Sequence, residues 1–163
     1  MANIRIREFV FGMQDGILST VALATSIAVA SSEKSIIIVA ATAAAIAGTI
    51  SMSTGSYLSS KAYLETISIE SDVVNESLKD AITMGISFII GASIPLIPHI
   101  IFTTETATPI AILVSLLGLF TLGYATGKIT KLSPLKKGIE ITIIGGFAAI
   151  LAFLVGNFLP RIL

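Results

Sequence analysis

Five apolar runs, each long enough to cross a bilayer, constrain this chain more than any other feature of it. A spanning helix needs roughly 20 mostly apolar residues. Segments at about 9–31, 35–58, 81–102, 109–127 and 138–159 meet that length. They take up most of the 163 residues, so the chain reads as a single transmembrane domain with little left for a soluble one. In a hydrocarbon medium every backbone N–H and C=O needs an internal partner, so apolar runs of this length become helices. The expected fold is therefore all-α, a polytopic membrane protein with five transmembrane helices. The first run follows Arg5 and Arg7 as a secretory signal would, but it is too long, carries Asp15 and ends without a small-residue cleavage pattern. It is read as a retained span.

Charge supplies the orientation. The net charge is zero and only 12% of the residues are charged, and no basic stripe with interleaved aromatics suggests a nucleic-acid partner. The distribution is uneven, however. With five spans, Arg5, Arg7, Lys61, Lys79, Lys128, Lys131, Lys136 and Lys137 fall on one side, and only Lys34 and Arg161 on the other. The positive-inside rule then predicts a cytoplasmic N-terminus and an outside C-terminus. No cysteine is present, which excludes disulfides, thiolate metal sites and Cys nucleophiles.

The connections fill in the topology. ASSEKS between the first two spans is short enough to demand an antiparallel hairpin. The long polar stretch between spans two and three lacks Gly and Pro and keeps Leu64, Ile67, Val74 and Leu78 at helical spacing. It predicts a short acidic helical extension over 59–80 on the cytoplasmic side. Pro95 and Pro98 are expected to bend or end the third span near the outer interface, and TTETATP to return the chain to the fourth. Small residues recur at helical spacing as Ala41, Ala45, Thr49 and Ser53, and again as Gly123 and Gly127. Such positions let backbones approach closely, within a subunit or along a dimer seam.

Against this background Asp15 stands out, because a carboxylate within a span is costly and commonly marks an ion or proton pathway. The structural alternative is a protonated carboxyl hydrogen-bonded to a neighbouring helix. Gly12 and Gly16 thin the helix beside it, and Ser19 lies one turn further on the same face. Met52 lies in GTISMSTGSYLSS, near the cytoplasmic end of an antiparallel second span, at an expected depth similar to Asp15. Methionine in a membrane helix is ordinarily packing. A thioether beside a carboxylate, however, selects a softer divalent ion such as iron(II) over magnesium or calcium. Met13, about 200° round the helix from Asp15, is the weaker ligand candidate.

Four further acids, Glu65, Asp72, Glu76 and Asp80, share one narrow face if their segment is a continuous helix. They are either a solvated face or a surface that collects cations at a pore mouth. Glu140 either stabilises the start of the fifth helix, pairing with Lys136 or Lys137, or belongs to the pathway. His99, the single histidine, reads as interfacial beside Pro98. No phosphate loop, nucleophile elbow or zincin helix appears, and the chain is not expected to be an enzyme.

REFVFGMQDGILSTVALATSIA, AGTISMSTGSYLSS, GISFIIGASIPLIP and KKGIEITIIGGFAAILAFLVGNFL, in that order, resemble the vacuolar iron transporter family, with its yeast vacuolar and plant nodulin-like relatives. The resemblance implies a homodimer of five-helix subunits that moves iron(II) or manganese(II) out of the cytosol in exchange for protons, with no permanently bound cofactor. It implies that Asp15 and Met52 line the path at the subunit interface, with Asp15 coupling the protons, and it matches Glu140 to a further family acid. Two departures are visible. Ser56 stands where many relatives have glutamate, and the cytoplasmic insertion is much shorter than the family's three-helix metal-binding domain, with Glu65 at its start. The residues independently favour a two-fold dimer, since a divalent ion facing one deep carboxylate stays half compensated. The rivals are a metal-binding membrane scaffold or sensor without transport, and an exporter of another small cation. With no organelle-targeting tail visible, a prokaryotic cytoplasmic membrane is the expected location, and a vacuolar-type membrane if the source is eukaryotic.

Overall fold

The computed structural model describes residues 2–31, 33–67 and 72–162. Five long helices follow one another: α1 (Ala2–Ser31), α2 (Lys34–Thr66), α3 (Val73–Ile101), α4 (Thr104–Ile129) and α5 (Pro134–Phe158), closed by a 3₁₀ turn at Leu159–Arg161. All five are long and apolar enough to cross a membrane, and no strand occurs among the described residues. The chain is a multi-pass membrane protein. Isoleucine, leucine and phenylalanine cover the outside of the bundle, for example Ile143, Phe147 and Ile150 on α5, which suits lipid as the surrounding solvent.

Helix α1 is the central post, in contact with each of the other four, and its most extensive partner is α3. That closeness has a specific cause. Helices in lipid gain little from burying apolar surface and associate through close backbone packing, which small residues permit. A Cβ at Gly12 would lie 2.7 Å from the Met84 carbonyl oxygen, and one at Gly16 would run into the Phe88 carbonyl. In return, Gly91 of α3 receives the Met13 carbonyl of α1. Gly16→Leu is therefore expected to destabilise the bundle by about 1–3 kcal/mol, the usual cost of overpacking. Gly55→Ala, at a position with open space around it, serves as a neutral control, and a thermal unfolding series in detergent compares the two.

The small-residue stripes are used inside the subunit. Ala41 and Ala45 of α2 are buried, Ser53 lies against Gly85 of α3, and Gly123 and Gly127 of α4 press on Lys137 and Pro134 of α5. These contacts account for the stripes without a second copy. The turn between α4 and α5 carries Lys131 at φ 57°, a left-handed position at which the chain reverses.

Helix boundaries differ from the sequence expectation in three places. Neither proline ends α3, which continues through Pro95 and Pro98 to Ile101. Both prolines are buried, and a helix stopped at residue 95 inside an apolar bundle would leave further carbonyls without partners. At the C-terminal end the Lys34 ammonium donates to the Ile100 carbonyl at 2.9 Å. Residues 104–108, expected in a loop, form the first turns of α4. Finally, the polar stretch between spans two and three is not one continuous helix. Helix α2 ends at Thr66 and α3 starts at Val73, with the Asp72 side chain accepting from the Asn75 backbone N–H at 3.2 Å as an N-cap. Residues 68–71 of the expected extension lie outside the described residues.

Candidate metal pathway

The N-terminal end of α1, the C-terminal half of α2 and the N-terminal half of α3 meet around an open cavity of about 620 Å³. Its lining includes Glu8 and Phe11 from α1, Met52 and Ser56 from α2, and Met84 from α3. Glu8 is the buried acid of this site, only 3% exposed. Its Oε1 accepts from the Arg7 guanidinium, at 2.6 Å from Nη2 and 3.0 Å from Nε, and its Oε2 accepts from the Ser56 hydroxyl at 2.8 Å. A buried carboxylate persists only when hydrogen-bonded and paired, and here both oxygens are engaged. Two methionines and a carboxylate line one open space, and thioether with carboxylate is a combination suited to a divalent ion of intermediate softness.

Glu8 was not among the candidates drawn from sequence, nor was Met84. Ser56, singled out in the sequence by its neighbourhood in span two, donates its hydroxyl to this acid of α1. The spacing of the two acids was the available signal. Glu8 and Asp15 are seven residues apart, which sets them about 20° apart around the helix and about 10.5 Å apart along it.

Asp15 lies outside this cavity, about two turns deeper on the same face of α1. It is partly exposed, and no hydrogen bond or ion pair to its carboxylate occurs among the described residues; the Ser19 hydroxyl donates to the Asp15 backbone carbonyl at 2.6 Å instead. The expected partnership with Met52 is not formed within one subunit. Met52 reaches the cavity at the level of Glu8 and Phe11 and packs against the cluster of Ala45, Phe88 and Ala92. Met13 packs on the core of Ile17, Leu119 and Ile141, the role of a gap-filling side chain.

Each of the other candidate acids has a partner. Glu76 bonds to Arg5 at 3.0 Å and to Lys79 at 2.7 Å. Asp80, 4% exposed, accepts from the Ser60 hydroxyl at 2.6 Å. Glu65 lies 3.9 Å from Lys61, and Asp72 caps α3. Because the helix breaks between Glu65 and Asp72, the four do not share one helical face; Asp72, Glu76 and Asp80 stay together at the start of α3, and Glu65 belongs to α2. Glu140 is exposed on α5 and pairs with Lys137 at 2.9 Å, away from the cavity. His99, in the last turn of α3, is buried inside the bundle, 1% exposed, and its Nε2 has no hydrogen-bond partner among the described residues. Among the described residues no three His, Cys, Asp or Glu side chains converge as a metal-binding group.

Comparison with known proteins agrees with this architecture. The chain is 26% identical to vacuolar iron transporter 1 of Arabidopsis thaliana, over 91% of this chain and 83% of the relative. It is 24% identical to vacuolar iron transporter 1 of Eucalyptus grandis, covering 91% and 84%, and 29% identical to an uncharacterised protein of Methanocaldococcus jannaschii, covering 91% and 87%. The alignments to the two plant proteins run over 208 positions, more than this chain possesses, whereas the archaeal one runs over 167. The plant relatives thus carry residues with no counterpart here. The model of the VIT family matches in two pieces, residues 6–73 and 64–157, that meet where α2 gives way to α3. With nearly every residue of the five-helix bundle inside that match, the chain belongs to the VIT family.

Proposed function

We propose that this protein transports divalent transition metal, moving iron(II) or manganese(II) out of the cytosol in exchange for protons along a pathway at a homodimer interface. The observation that carries the reading is that the buried Glu8 lines an open cavity together with Met52 and Met84, with Asp15 two turns deeper on the same helix face. Carboxylates bind any divalent ion; thioethers shift the preference towards iron(II) and away from magnesium and calcium. The similarity to vacuolar iron transporters supports the same cargo. In this reading the N-terminus is cytoplasmic, the whole chain is one transmembrane domain, and Glu8 marks the cytosolic mouth.

The dimer follows from charge. A single subunit offers a divalent ion one carboxylate at the depth of Asp15, and an uncompensated charge in a low-dielectric site costs several kcal/mol, as an order of magnitude. A two-fold axis along the membrane normal brings two copies of Asp15 together, and the partly exposed, unbonded carboxylate is compatible with such a partner. Two close carboxylates cannot both stay ionised once the metal leaves, so release of the ion is accompanied by uptake of a proton. That step resets the site and couples the two flows. Glu140 lies at the margin of this scheme. The membrane in question is a prokaryotic cytoplasmic one, or a vacuolar-type one in a eukaryote.

The deciding experiment is uptake of iron(II) and manganese(II) into proteoliposomes under an imposed pH gradient. Gradient-dependent uptake is the expected result. Saturable binding in detergent with no flux under any gradient would overturn transport in favour of a metal-binding scaffold, and competition by organic cations would favour a different cargo.

A subsidiary expectation concerns the acids at the mouth. Glu65, Asp72, Glu76 and Asp80 raise the local cation concentration in this scheme, and Asp80 is held by Ser60, which lines the smaller cavity next to the metal site. Neutralising all four is expected to raise the apparent KM for manganese(II) about threefold to tenfold at low ionic strength, and less at high salt because exposed charges are screened. An unchanged KM would leave these residues as ion-paired, hydrogen-bonded and helix-capping groups.

A further inference from the structure

The pairing at Glu8 is unequal in a way that suggests what it is for. Glu8 is 3% exposed, whereas the Arg7 side chain that compensates it is 66% exposed. The acid is fixed by burial and by Ser56, while its cation reaches in from the aqueous side. Neighbouring residues on a helix do not face each other, so Arg7 must fold back along α1 to place two of its nitrogens on one Glu8 oxygen. No other hydrogen bond holds the guanidinium among the described residues. Arg7 also borders two further cavities, one of about 310 Å³ beside Ser59, Ser60 and Tyr63 and one of about 340 Å³ beside Gln14, Thr126 and Thr130. The side chain therefore has open space on either side into which it can turn.

We infer that Arg7 is a resident counter-cation: its guanidinium occupies the cation position on Glu8 and is displaced when a divalent ion enters the cavity between α1, α2 and α3. This rests on the reading that the cavity receives a divalent cation. A buried carboxylate cannot be left without compensation, so the site alternates between two occupants, the tethered guanidinium and the metal, and is never empty of positive charge. The exchange moves no proton and breaks no covalent bond. Its effect is selective, because an entering ion must outcompete a charge-assisted pair with two donors on one oxygen; a divalent ion that also gains Met52 and Met84 as ligands does so, and a monovalent alkali ion, with half the charge and no affinity for thioether, does not. The neighbouring Arg5–Glu76–Lys79 cluster has no such property, since Glu76 lies between two cations.

The test is manganese(II) binding to the full chain in detergent, read from the free-ion electron paramagnetic resonance signal at fixed pH and low salt, with thermal unfolding as a check on folding. Removing the competitor with Arg7→Gln is expected to tighten binding about tenfold, equivalent to ~1.4 kcal/mol. Arg7→Lys, a point charge without the fork geometry, is expected to fall between the two, about threefold tighter than native. If the glutamine variant fails to fold, the lysine variant alone carries the test. In the Glu8→Gln background the Arg7→Gln substitution should change nothing, which ties its effect to the Glu8 pair, and the tightening itself is what a purely structural arginine would not produce. Native binding that Arg7→Gln leaves unchanged or weakens overturns the role of Arg7 while leaving the metal site intact. Absence of manganese(II) binding by both the native chain and Arg7→Gln overturns the site and the displacement together.

Discussion

Asp15→Asn is expected to abolish pH-gradient-driven uptake of iron(II) and manganese(II) while leaving the protein folded. The substitution is nearly isosteric, and Asp15 makes no side-chain hydrogen bond or ion pair among the described residues that asparagine would lose. Unfolding in detergent should shift by no more than a few degrees. Transport is another matter, because the carboxylate supplies both the charge that compensates the ion and the group that takes the proton. Removing one partner of a desolvated charge pair costs about 3–5 kcal/mol, so metal flux should fall about 100-fold or more. In a symmetric dimer both copies are lost at once. The measurement is initial uptake rate in proteoliposomes, paired with the internal pH recorded by an entrapped dye. Retained uptake with a retained pH change would remove Asp15 from the pathway, and retained uptake without a pH change would assign it to proton coupling alone.

Asp15 and Met52 could be singled out from sequence for different reasons than Glu8 and Met84 were missed. A carboxylate in the middle of an apolar run violates the local pattern, and that violation is visible without any partner. Glu8 sits at the edge of the same run between Arg7 and Phe9, where a charge reads as an ordinary interfacial flank. Its burial is a long-range property, created when Gly12 lets α3 approach and Ser56 of α2 arrives to donate a hydrogen bond. Met84 is likewise indistinguishable from packing until the Gly12 contact places it on the cavity wall. The five spans were legible because backbone satisfaction in lipid leaves so few alternatives. The break between α2 and α3 was less so, since no Gly or Pro marks it. The mark is Asp72, an N-cap residue directly ahead of Val73 and Val74, and reading it as one more acid of a continuous helix joined Glu65 to a face it does not share.

Glu8→Gln separates the charge at the mouth from the packing around it, and its expected effect is the second largest. The side chain keeps its volume and still offers a carbonyl oxygen to Ser56, so the fit between α1 and α2 survives. Arg7 loses its ion pair, but that side chain is two-thirds exposed, and an exposed guanidinium carries little penalty when left alone. Stability should therefore change by less than about 1 kcal/mol, in the range of an exposed ion pair. Metal affinity should drop far more, because the buried carboxylate is the only anionic group among the cavity's named ligands, and thioethers alone bind manganese(II) poorly. A weakening of about 30-fold to 100-fold in manganese(II) binding corresponds to ~2–3 kcal/mol. The asymmetry is informative when set beside Arg7→Gln. Removing the acid should be easy on the fold and severe for the ion, whereas removing the arginine leaves an acid that needs a new counter-charge, so it should favour the ion. Opposite signs from two residues that share one ion pair are the outcome expected of a site in which a tethered cation and a mobile one compete. If both substitutions weaken manganese(II) binding equally, the pair only holds Glu8 in place for its hydrogen bond to Ser56 of α2, and the cation position has to be sought deeper, at Asp15.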